Sequence, residues 1–136
     1  MNRLHVAVGV ITDSHGRVLI SRRADDSHQG GLWEFPGGKV EAGESLADAL
    51  ARELREELAI EVNYSEPLME IRHDYSDKAV LLDVHVVRDY CGQPSGQENQ
   101  PLAWVASDKL TDYQFPAANE PIIAAVQALL SGAADD

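Results

Sequence analysis

One stretch of strong helix formers, residues 45–58, constrains the fold most, because segments whose composition favours β-strands lie on both sides of it. Residues 4–11 and 17–22 are β-rich runs that precede the stretch, and residues 68–75 and 79–87 are two that follow it. This alternation predicts a domain in which a helix packs on a sheet.

The connections between these segments predict their pairing. The runs at 4–11 and 17–22 surround Asp-Ser-His-Gly at 13–16, a turn-forming tetrad, so we predict that they pair as a hairpin. Residues 32–35 predict a short strand before Pro36-Gly37-Gly38, where two glycines allow a close approach of the backbone.

The second half of the chain adds strands and a closing helix. Residues 68–75 and 79–87 predict a second strand pair, residues 102–105 a further strand and residues 118–130 a helix. Mixed strands with helices on opposite sides suggest an α/β/α sandwich with a mixed central sheet. With 136 residues, the chain is predicted to be a single domain over 1–136, with a loose tail at 131–136.

Composition narrows the classes of protein to consider. Apolar residues make up 44% of the chain and charged residues 25%, as is usual for soluble globular domains. Cys91 is the only cysteine, so no internal disulfide can form, and no apolar stretch is long enough to span a bilayer. We therefore expect a cytoplasmic protein that is a monomer and makes no membrane contact.

The formal net charge of −12 disfavours binding to duplex nucleic acid, which requires clustered Lys and Arg side chains. The charge is unevenly distributed, since residues 1–40 carry +1 and the remainder carries −13. An anionic ligand would therefore favour the N-terminal surface. Elsewhere it would require a bound cation beside the carboxylates.

Three glutamates share one face of the predicted helix. At about 100° per residue, Glu56 and Glu57 lie roughly 60° and 40° to either side of Glu53. An apolar stripe lies beside them, formed by Leu50, Leu54 and Leu58. The acidic face is either a solvated surface relieved by neighbouring arginines or a site for Mg²⁺ or Mn²⁺, ions that take oxygen ligands.

The residues around the helix decide between these interpretations. Their order and spacing resemble the Nudix box, a pattern of Gly, Glu, Arg-Glu-apolar, Glu-Glu and Gly-apolar that spans residues 38–60 here. The matching residues are Gly38, Glu44, Arg52, Glu53, Leu54, Glu56, Glu57 and Ile60. The family has Gly where this chain has Ala59, and a left-handed alanine there would cost on the order of 1 kcal/mol.

The resemblance to Nudix hydrolases implies cleavage of a diphosphate linkage by water with the help of divalent ions, here Mg²⁺ with Mn²⁺ as a substitute. Arg52 would orient the carboxylates. Glu98, in a Gly-x-Glu-x-Gln-Pro segment typical of one subgroup, would be the general base unless it is only a loop surface residue, and Glu53 is the other candidate. The implied metal ligands are Glu53, Glu56, Glu57, Glu98 and the carbonyl of Gly37.

Beyond the box, the chain resembles the MutT-type 8-oxo-dGTP diphosphatases almost from end to end. The segments that carry this resemblance are SRRA at 21–24, WEFPGGK at 33–39 and FPAANEP at 115–121. The resemblance implies a small-molecule nucleotide substrate, 8-oxo-dGTP, hydrolysed to 8-oxo-dGMP and pyrophosphate. Such a reaction would remove a mutagenic nucleotide from the pool used in DNA replication.

Asn119 lies in the last of these segments, which resembles the segment whose Asn reads the oxidised purine in that family. A carboxamide offers an acceptor and two donors, so it could accept from the N7–H that 8-oxoguanine has gained and donate to O6. The alternative is that Asn119 caps the closing helix, since Asn followed by Glu120 and Pro121 is also a good helix start.

The same resemblance implies other contacts with substrate. Arg23 would meet the base or the phosphates unless it forms only a surface ion pair, and Lys78 would meet the base through its backbone. The further implied contacts are Phe35, Gly38 and Lys39. Apolar residues that match pocket positions, and that could equally belong to the core, are Leu4, Val6, Val8, Phe35, Val80 and Pro116.

Two other functions fit parts of the pattern. A Nudix enzyme for a pyrimidine or another modified nucleotide would share the metal helix, but the segment at 115–121 argues against it. A catalytically silent Nudix-like nucleotide-binding module would commonly lose carboxylates of the box, whereas Glu53, Glu56 and Glu57 are all present here.

Overall fold

The computed structural model of the protein describes residues 3–25, 30–74 and 78–134. Two 3-10 helices, Ser107–Asp112 and Ala117–Asn119, precede the last helix. The strands and α-helices in chain order are β1 (Leu4–Ile11), β2 (Arg17–Arg22), β3 (Trp33–Glu34), β4 (Gly37–Lys39), α1 (Leu46–Leu58), β5 (Glu61–Asp74), β6 (Ala79–Cys91), β7 (Leu102–Ala106) and α2 (Glu120–Ala134).

The strands form two sheets. A four-stranded sheet has the order β4-β1-β6-β5, and it is mixed because β1 runs parallel to β6 and antiparallel to β4. A three-stranded antiparallel sheet has the order β3-β2-β7. The predicted α/β class with a mixed central sheet is confirmed.

Strand β1 separates two apolar cores. Its alternation directs Ala7 and Ile11 to the core beneath α1, and Val8 and Val10 to the core that receives α2. The helices therefore lie on opposite faces of the mixed sheet, as the predicted α/β/α sandwich requires. Because both faces of β1 are covered, the strand is apolar at nearly every position.

Helix α1 follows the prediction closely. The Ser45 side chain caps its first turn by accepting a hydrogen bond from the Asp48 N–H at 3.1 Å, and the buried stripe includes Leu50, Leu54 and Leu58. The helix ends at Ala59, whose N–H donates to the Arg55 carbonyl at 3.0 Å. Ala59 has φ 59° and ψ 34°, so it is in the left-handed region where glycine is favoured.

The later strands agree with the prediction, with different ends. β5 and β6 pair antiparallel over a longer span than residues 68–75 and 79–87, and Tyr75 lies outside the described residues. The strand predicted at 102–105 is β7, and the one predicted at 32–35 is the shorter β3. The closing helix begins at Glu120 and continues to Ala134, so part of the predicted tail is helical.

The predicted hairpin is wrong. Its two runs form β1 and β2, but these strands belong to different sheets and meet only at the isolated bridge between Thr12 and Val18. The turn itself is present, since the Asp13 carboxylate accepts from the N–H groups of His15 and Arg17 at 2.9 Å each. The Thr12 N–H donates instead to the Val87 carbonyl at 3.1 Å, which keeps this end of β1 with β6.

No helix in the described parts of the chain is both long enough and apolar enough to cross a membrane.

Candidate active site

A cavity of about 300 Å³ lies beside β1 and β4. It contains every residue for which a contact with substrate was predicted, and both apolar and charged side chains line it. The apolar ones are Leu4, Val6, Ala7, Val8, Phe35, Val80, Leu82 and Pro116, and the polar or glycine positions are Arg23, Glu34, Gly37, Gly38, Lys39, Glu57, Lys78 and Asn119. Distant parts of the sequence therefore form one concave site.

A second cavity of about 220 Å³ adjoins the first, since Arg23, Glu34 and Glu57 line both. Glu98 and Gln100 line only the second of these two cavities. The first cavity is thus partly apolar and reaches Asn119, whereas the second is dominated by charged and polar side chains. We refer to them below as the base cavity and the carboxylate cavity.

Arg52 forms hydrogen bonds with the acidic residues beside it. Its Nη1 donates to Glu53 at 2.9 Å, its Nε and Nη2 donate to Glu44 at 2.8 and 2.9 Å, and Nη2 also donates to the Lys39 carbonyl at 3.0 Å. The hydrogen bonds from Arg52 lower the pKa of Glu44 to about 2. One guanidinium therefore joins α1 to the loop that follows β4.

The two glycines before α1 are required by close contacts. A Cβ on Gly37 would overlap the carbonyl oxygen of Ala7 in β1, and a Cβ on Gly38 would overlap the carboxylate of Glu53. Gly37 also donates a backbone hydrogen bond to Glu57. The Gly37-Gly38 backbone thus packs directly against two carboxylates of α1, so a larger residue at position 37 has no space and one at position 38 would displace the Glu53 carboxylate.

Negative charge accumulates around Glu57. Burial, together with the charges of Glu53, Glu34 and Glu98, raises the pKa of Glu57 to about 9 against the hydrogen bond from Gly37. Burial also raises the pKa of Glu34, although its partner Arg23 opposes the shift. Arg52 and Arg23 balance only part of this negative charge, and a divalent cation would supply the remainder.

The charge of the carboxylates suits a bound cation, but their side chains are not already arranged as a metal site. Among the described residues, no group of three or more Asp, Glu, His or Cys side chains is placed to hold a metal ion as it stands. Glu56 is 59% exposed and lies 3.6 Å from Arg52. The ligand set of Gly37, Glu53, Glu56, Glu57 and Glu98 therefore remains a prediction, which the side chains could satisfy by changes of rotamer.

Asn119 lines the base cavity from the 3-10 helix that precedes α2. Its backbone N–H donates to the Pro116 carbonyl at 2.9 Å. Within the described residues, no hydrogen bond joins the Asn119 side chain to the first turn of α2, so the helix-cap alternative is not what the structure shows. The amide is therefore available to a ligand in the cavity.

Aromatic packing supports the same end of the cavity. Phe35 is 3% exposed, and its ring stacks on Phe115 with the ring centroids 5.3 Å apart. Phe35 and Pro116 also belong to the cavity lining. Phe35 is thus a core residue that presents part of its surface to the cavity, so the two alternatives for the apolar positions are compatible.

Glu34 is a site residue that the sequence analysis missed. It pairs with Arg23, whose Nη1 donates to Glu34 Oε1 at 2.6 Å, and both side chains line the base and carboxylate cavities. Each is about one-third exposed, at 30% and 32%. An acidic residue between two aromatic ones in a short predicted strand was the available signal, because charge is uncommon in such a setting unless it is paired.

A family model described as NUDIX domain matches residues 7–125. The chain belongs to the Nudix family. The matched region includes most of β1, the Gly37-Gly38 turn, α1, the Glu98 loop and the Asn119 segment. The box resemblance and the Nudix fold expected from it are confirmed.

The curated relatives of this Nudix domain include enzymes named as a diphosphatase and as a pyrophosphohydrolase. It is 37% identical to the 8-oxo-dGTP diphosphatase of Escherichia coli (strain K12) over 129 residues, which cover 95% of this chain and 100% of that protein. It is 38% identical to the CTP pyrophosphohydrolase of the same organism over 122 residues, 90% of each protein. The chain is thus similar along nearly its full length to Nudix enzymes named for different substrates.

A solved structure agrees with the fold. The match comes from a study of MutT from Aliivibrio salmonicida and Vibrio cholerae, with a TM-score of 0.80 and 38% identity over 94% of this chain and 98% of that one. At this similarity, the likeness extends beyond the general architecture to the sequence.

Proposed function

We propose that this Nudix enzyme hydrolyses 8-oxo-dGTP to 8-oxo-dGMP and pyrophosphate and so removes a mutagenic nucleotide from the pool. The observation that carries the proposal is the pair of adjoining cavities, one reaching the Asn119 amide and the other reaching Glu57 and Glu98. A nucleotide that spans both would place its base near Asn119 and its phosphates near the carboxylates. The relatives named 8-oxo-dGTP diphosphatase support the same substrate.

The chemistry of Asn119 supports recognition of the oxidised base. In 8-oxoguanine N7 carries a proton, which the amide oxygen can accept, while the amide nitrogen donates to O6. Guanine has an acceptor at N7 instead, and a buried mismatch costs about 1–3 kcal/mol per unsatisfied group. One amide can therefore provide a preference of roughly fivefold to 150-fold between the two nucleotides.

The carboxylates support metal-assisted attack by water. In this proposal Glu53, Glu56, Glu57, Glu98 and the Gly37 carbonyl hold the ion, which is Mg²⁺ with Mn²⁺ as a substitute. When bound, such an ion offsets charge on the phosphate oxygens and makes a nearby water more acidic. The raised pKa of Glu57 supports the assignment, because it comes from burial and from neighbouring carboxylates, and a bound cation would offset both.

The residues of the chain would share the remaining work. Glu98, or in the second alternative Glu53, takes a proton from the attacking water while the oxygen of that water forms a bond to phosphorus. The phosphorus–oxygen bond of the diphosphate linkage breaks, and pyrophosphate leaves. Arg52 holds Glu53 at 2.9 Å, which limits the orientations that its carboxylate can take.

A substrate comparison tests the proposal. We expect kcat/KM with Mg²⁺ to be higher for 8-oxo-dGTP than for dGTP, CTP, a nucleotide sugar or a dinucleoside polyphosphate. If all five substrates were inert under conditions in which the protein is folded, the silent nucleotide-binding module would replace the enzyme.

CTP is the second candidate substrate, and the 38% identical CTP pyrophosphohydrolase is the observation that favours it. CTP has no N7, so it offers Asn119 a different set of partners. A kcat/KM for CTP above that for 8-oxo-dGTP would assign the protein to this alternative and leave the role of the carboxylates unchanged.

We also propose that the enzyme acts as a cytoplasmic monomer on free nucleotides, without duplex nucleic acid or membrane. Its net charge of −12 supports the absence of duplex binding, and a single cysteine suits a reducing compartment. Light scattering after size exclusion would test the monomer, and a dimer-sized mass would contradict it.

A further inference from the structure

The loop that carries Glu98 is attached to the end of α1 by its backbone. The Ser95 N–H donates to the Leu58 carbonyl at 3.0 Å, and the Gln97 N–H donates to the Glu57 carbonyl at 2.9 Å. Carbonyls in the last turn of a helix have no partner within the helix, so the loop supplies what this end lacks. These bonds bring the loop to the part of α1 that bears Glu57.

The Gln100 side chain makes a second connection between the same two elements. Its Nε2 donates to the Glu57 carbonyl at 3.2 Å, and its Oε1 accepts from the Glu98 N–H at 2.9 Å. Both ends of the amide therefore form hydrogen bonds, one with the backbone of Glu57, a predicted metal ligand, and one with the backbone of Glu98, the candidate base. Gln100 is partly buried and also lines the carboxylate cavity.

Gly96 leaves space for this bridge. A Cβ on Gly96 would overlap the backbone carbonyl of Gln100 and would lie 3.0 Å from its Oε1. The turn between them is tight, since the Asn99 N–H donates to the Gly96 carbonyl at 3.1 Å and Asn99 has φ 61°. The loop is thus shaped so that the Gln100 amide can reach back to Glu98 and across to α1.

We propose that Gln100 is a positioning residue, which fixes Glu98 relative to Glu57 by joining the loop to the end of α1. The inference rests on the role of Glu98 in the proposed function. It requires a carboxamide, because only that group donates to the Glu57 carbonyl while it accepts from the Glu98 N–H. A carboxylate would place an oxygen against the carbonyl, and an apolar side chain would make neither bond.

The test compares variants of the full-length protein. Gln100→Ala removes both bonds, Gln100→Glu keeps only the acceptor, and Gly96→Ala crowds the bridge. Gln97→Ala is the matched control, because the Gln97 side chain reaches only Ser95, with Nε2 2.6 Å from its Oγ. The measurements are amide hydrogen exchange at Glu98 without metal, kcat and KM for 8-oxo-dGTP with Mg²⁺, and the thermal midpoint.

We expect Gln100→Ala to accelerate exchange of the Glu98 amide at least tenfold, to about the rate of an unbonded loop amide. It should lower kcat about tenfold to a hundredfold and change KM by less than about twofold, because a displaced catalytic group slows the reaction more than it weakens binding. Gln100→Glu should not rescue kcat, and Gly96→Ala should shift both measurements in the same direction. Gln97→Ala should stay within about twofold of the unmodified protein in each.

Two results would overturn the inference. One is that Gln100→Ala matches Gln97→Ala in exchange and in kcat, and the other is that Gln100→Glu restores full kcat. Glu98→Gln separates this failure from failure of the proposed function. If Glu98→Gln is fully active, the role of Glu98 is wrong and the role of Gln100 in catalysis is wrong with it. If Glu98→Gln is impaired and Gln100→Ala is not, only the positioning role fails.

Discussion

The two ends of the site are built in different ways. The predicted metal ligands, which we call the carboxylate end, come largely from one continuous segment, in which α1 carries Glu53 and Glu57 and the Gly37-Gly38 turn packs against them. The base end has no such segment, since its lining comes from β1, β6, the Phe35 region and the turn at Asn119. One end therefore depends on the regular spacing of a helix, and the other depends on how the sheets and α2 pack together.

This difference predicts how the two ends respond to substitution. Changes at the carboxylate end should affect hydrolysis of every substrate, because the phosphates are common to all of them. Changes at the base end should alter the ratio between substrates, because only the base distinguishes one nucleotide from another.

The largest expected effect is that of metal removal. Excess chelator should abolish turnover of both 8-oxo-dGTP and dGTP, and added Mg²⁺ should restore it, since clustered carboxylates would otherwise repel the phosphates. Steady-state rates before and after chelation provide the measurement. Undiminished rates in chelator would show that the carboxylate end does not act through a metal ion.

The next largest effect is expected within α1. Glu53→Gln or Glu57→Gln keeps the size of the side chain and removes its charge, and kcat should fall roughly 100-fold or more for 8-oxo-dGTP and dGTP alike. Asp48→Asn is the matched control, because Asp48 is an exposed acid in the first turn of the same helix. A loss below tenfold in both glutamate variants would return the acidic face to the solvated-surface interpretation.

At the base end, Asn119→Ala should reduce selectivity and leave the capacity for hydrolysis. The kcat/KM advantage of 8-oxo-dGTP over dGTP should shrink at least tenfold, about 1.4 kcal/mol, because the amide that distinguishes N7–H is gone. Both kcat/KM values and the thermal midpoint are to be measured. An unchanged ratio with a lowered midpoint would show that Asn119 supports the fold and does not read the base.

Glu34 lies where the two ends meet, so it offers a way to sharpen the comparison. Glu34→Gln weakens its ion pair with Arg23, and kcat/KM should fall about threefold to tenfold for both 8-oxo-dGTP and dGTP, with their ratio kept. Parallel kinetics on the two substrates would check this. A changed ratio would place Glu34 with the base end instead.

The smallest effect is expected at Ala59, outside both cavities. Ala59→Gly should stabilise the protein by about 1 kcal/mol, since glycine adopts the left-handed conformation without the clash of a Cβ. For a domain of this size the thermal midpoint should rise about 3 °C, with kcat unchanged.

Gly43→Ala is the reverse control for Ala59. Gly43 has φ 83°, and a Cβ there would meet no atom within 4 Å, so strain of the backbone is the only expected effect. The thermal midpoint of Gly43→Ala should fall by about as much as that of Ala59→Gly rises. If Ala59→Gly lowers the midpoint, contacts of the Ala59 methyl group outweigh the strain.

Features that depend on neighbouring residues could be predicted from the sequence. The helix α1, its buried leucine stripe and the later strands are confirmed, because helix propensity and periodicity operate within a few residues. The Nudix box is confirmed for the same reason, since its spacing follows the turn of one helix. The roles of its carboxylates as metal ligands remain predictions.

The pairing of the first two strands could not be predicted in this way. The turn at Asp13 forms as expected, but β1 pairs with β4 and β6 rather than with β2. Adjacent segments in a hairpin pattern compete with partners that are distant in sequence, and burial of both faces of β1 favours the distant ones. Local sequence patterns do not report the energies of pairing with those distant strands.

The sequence by itself determined the elements, the family and the residue types available for chemistry in this protein. Only the tertiary structure decided which of them meet. It placed Glu34 beside Arg23, and it directed the Asn119 amide to the base cavity and not to a cap on α2. It also joined Gln100 to both Glu98 and α1. The physical reason is that hydrogen bonds and ion pairs between segments depend on packing of the whole domain, whereas helical periodicity and capping are set locally.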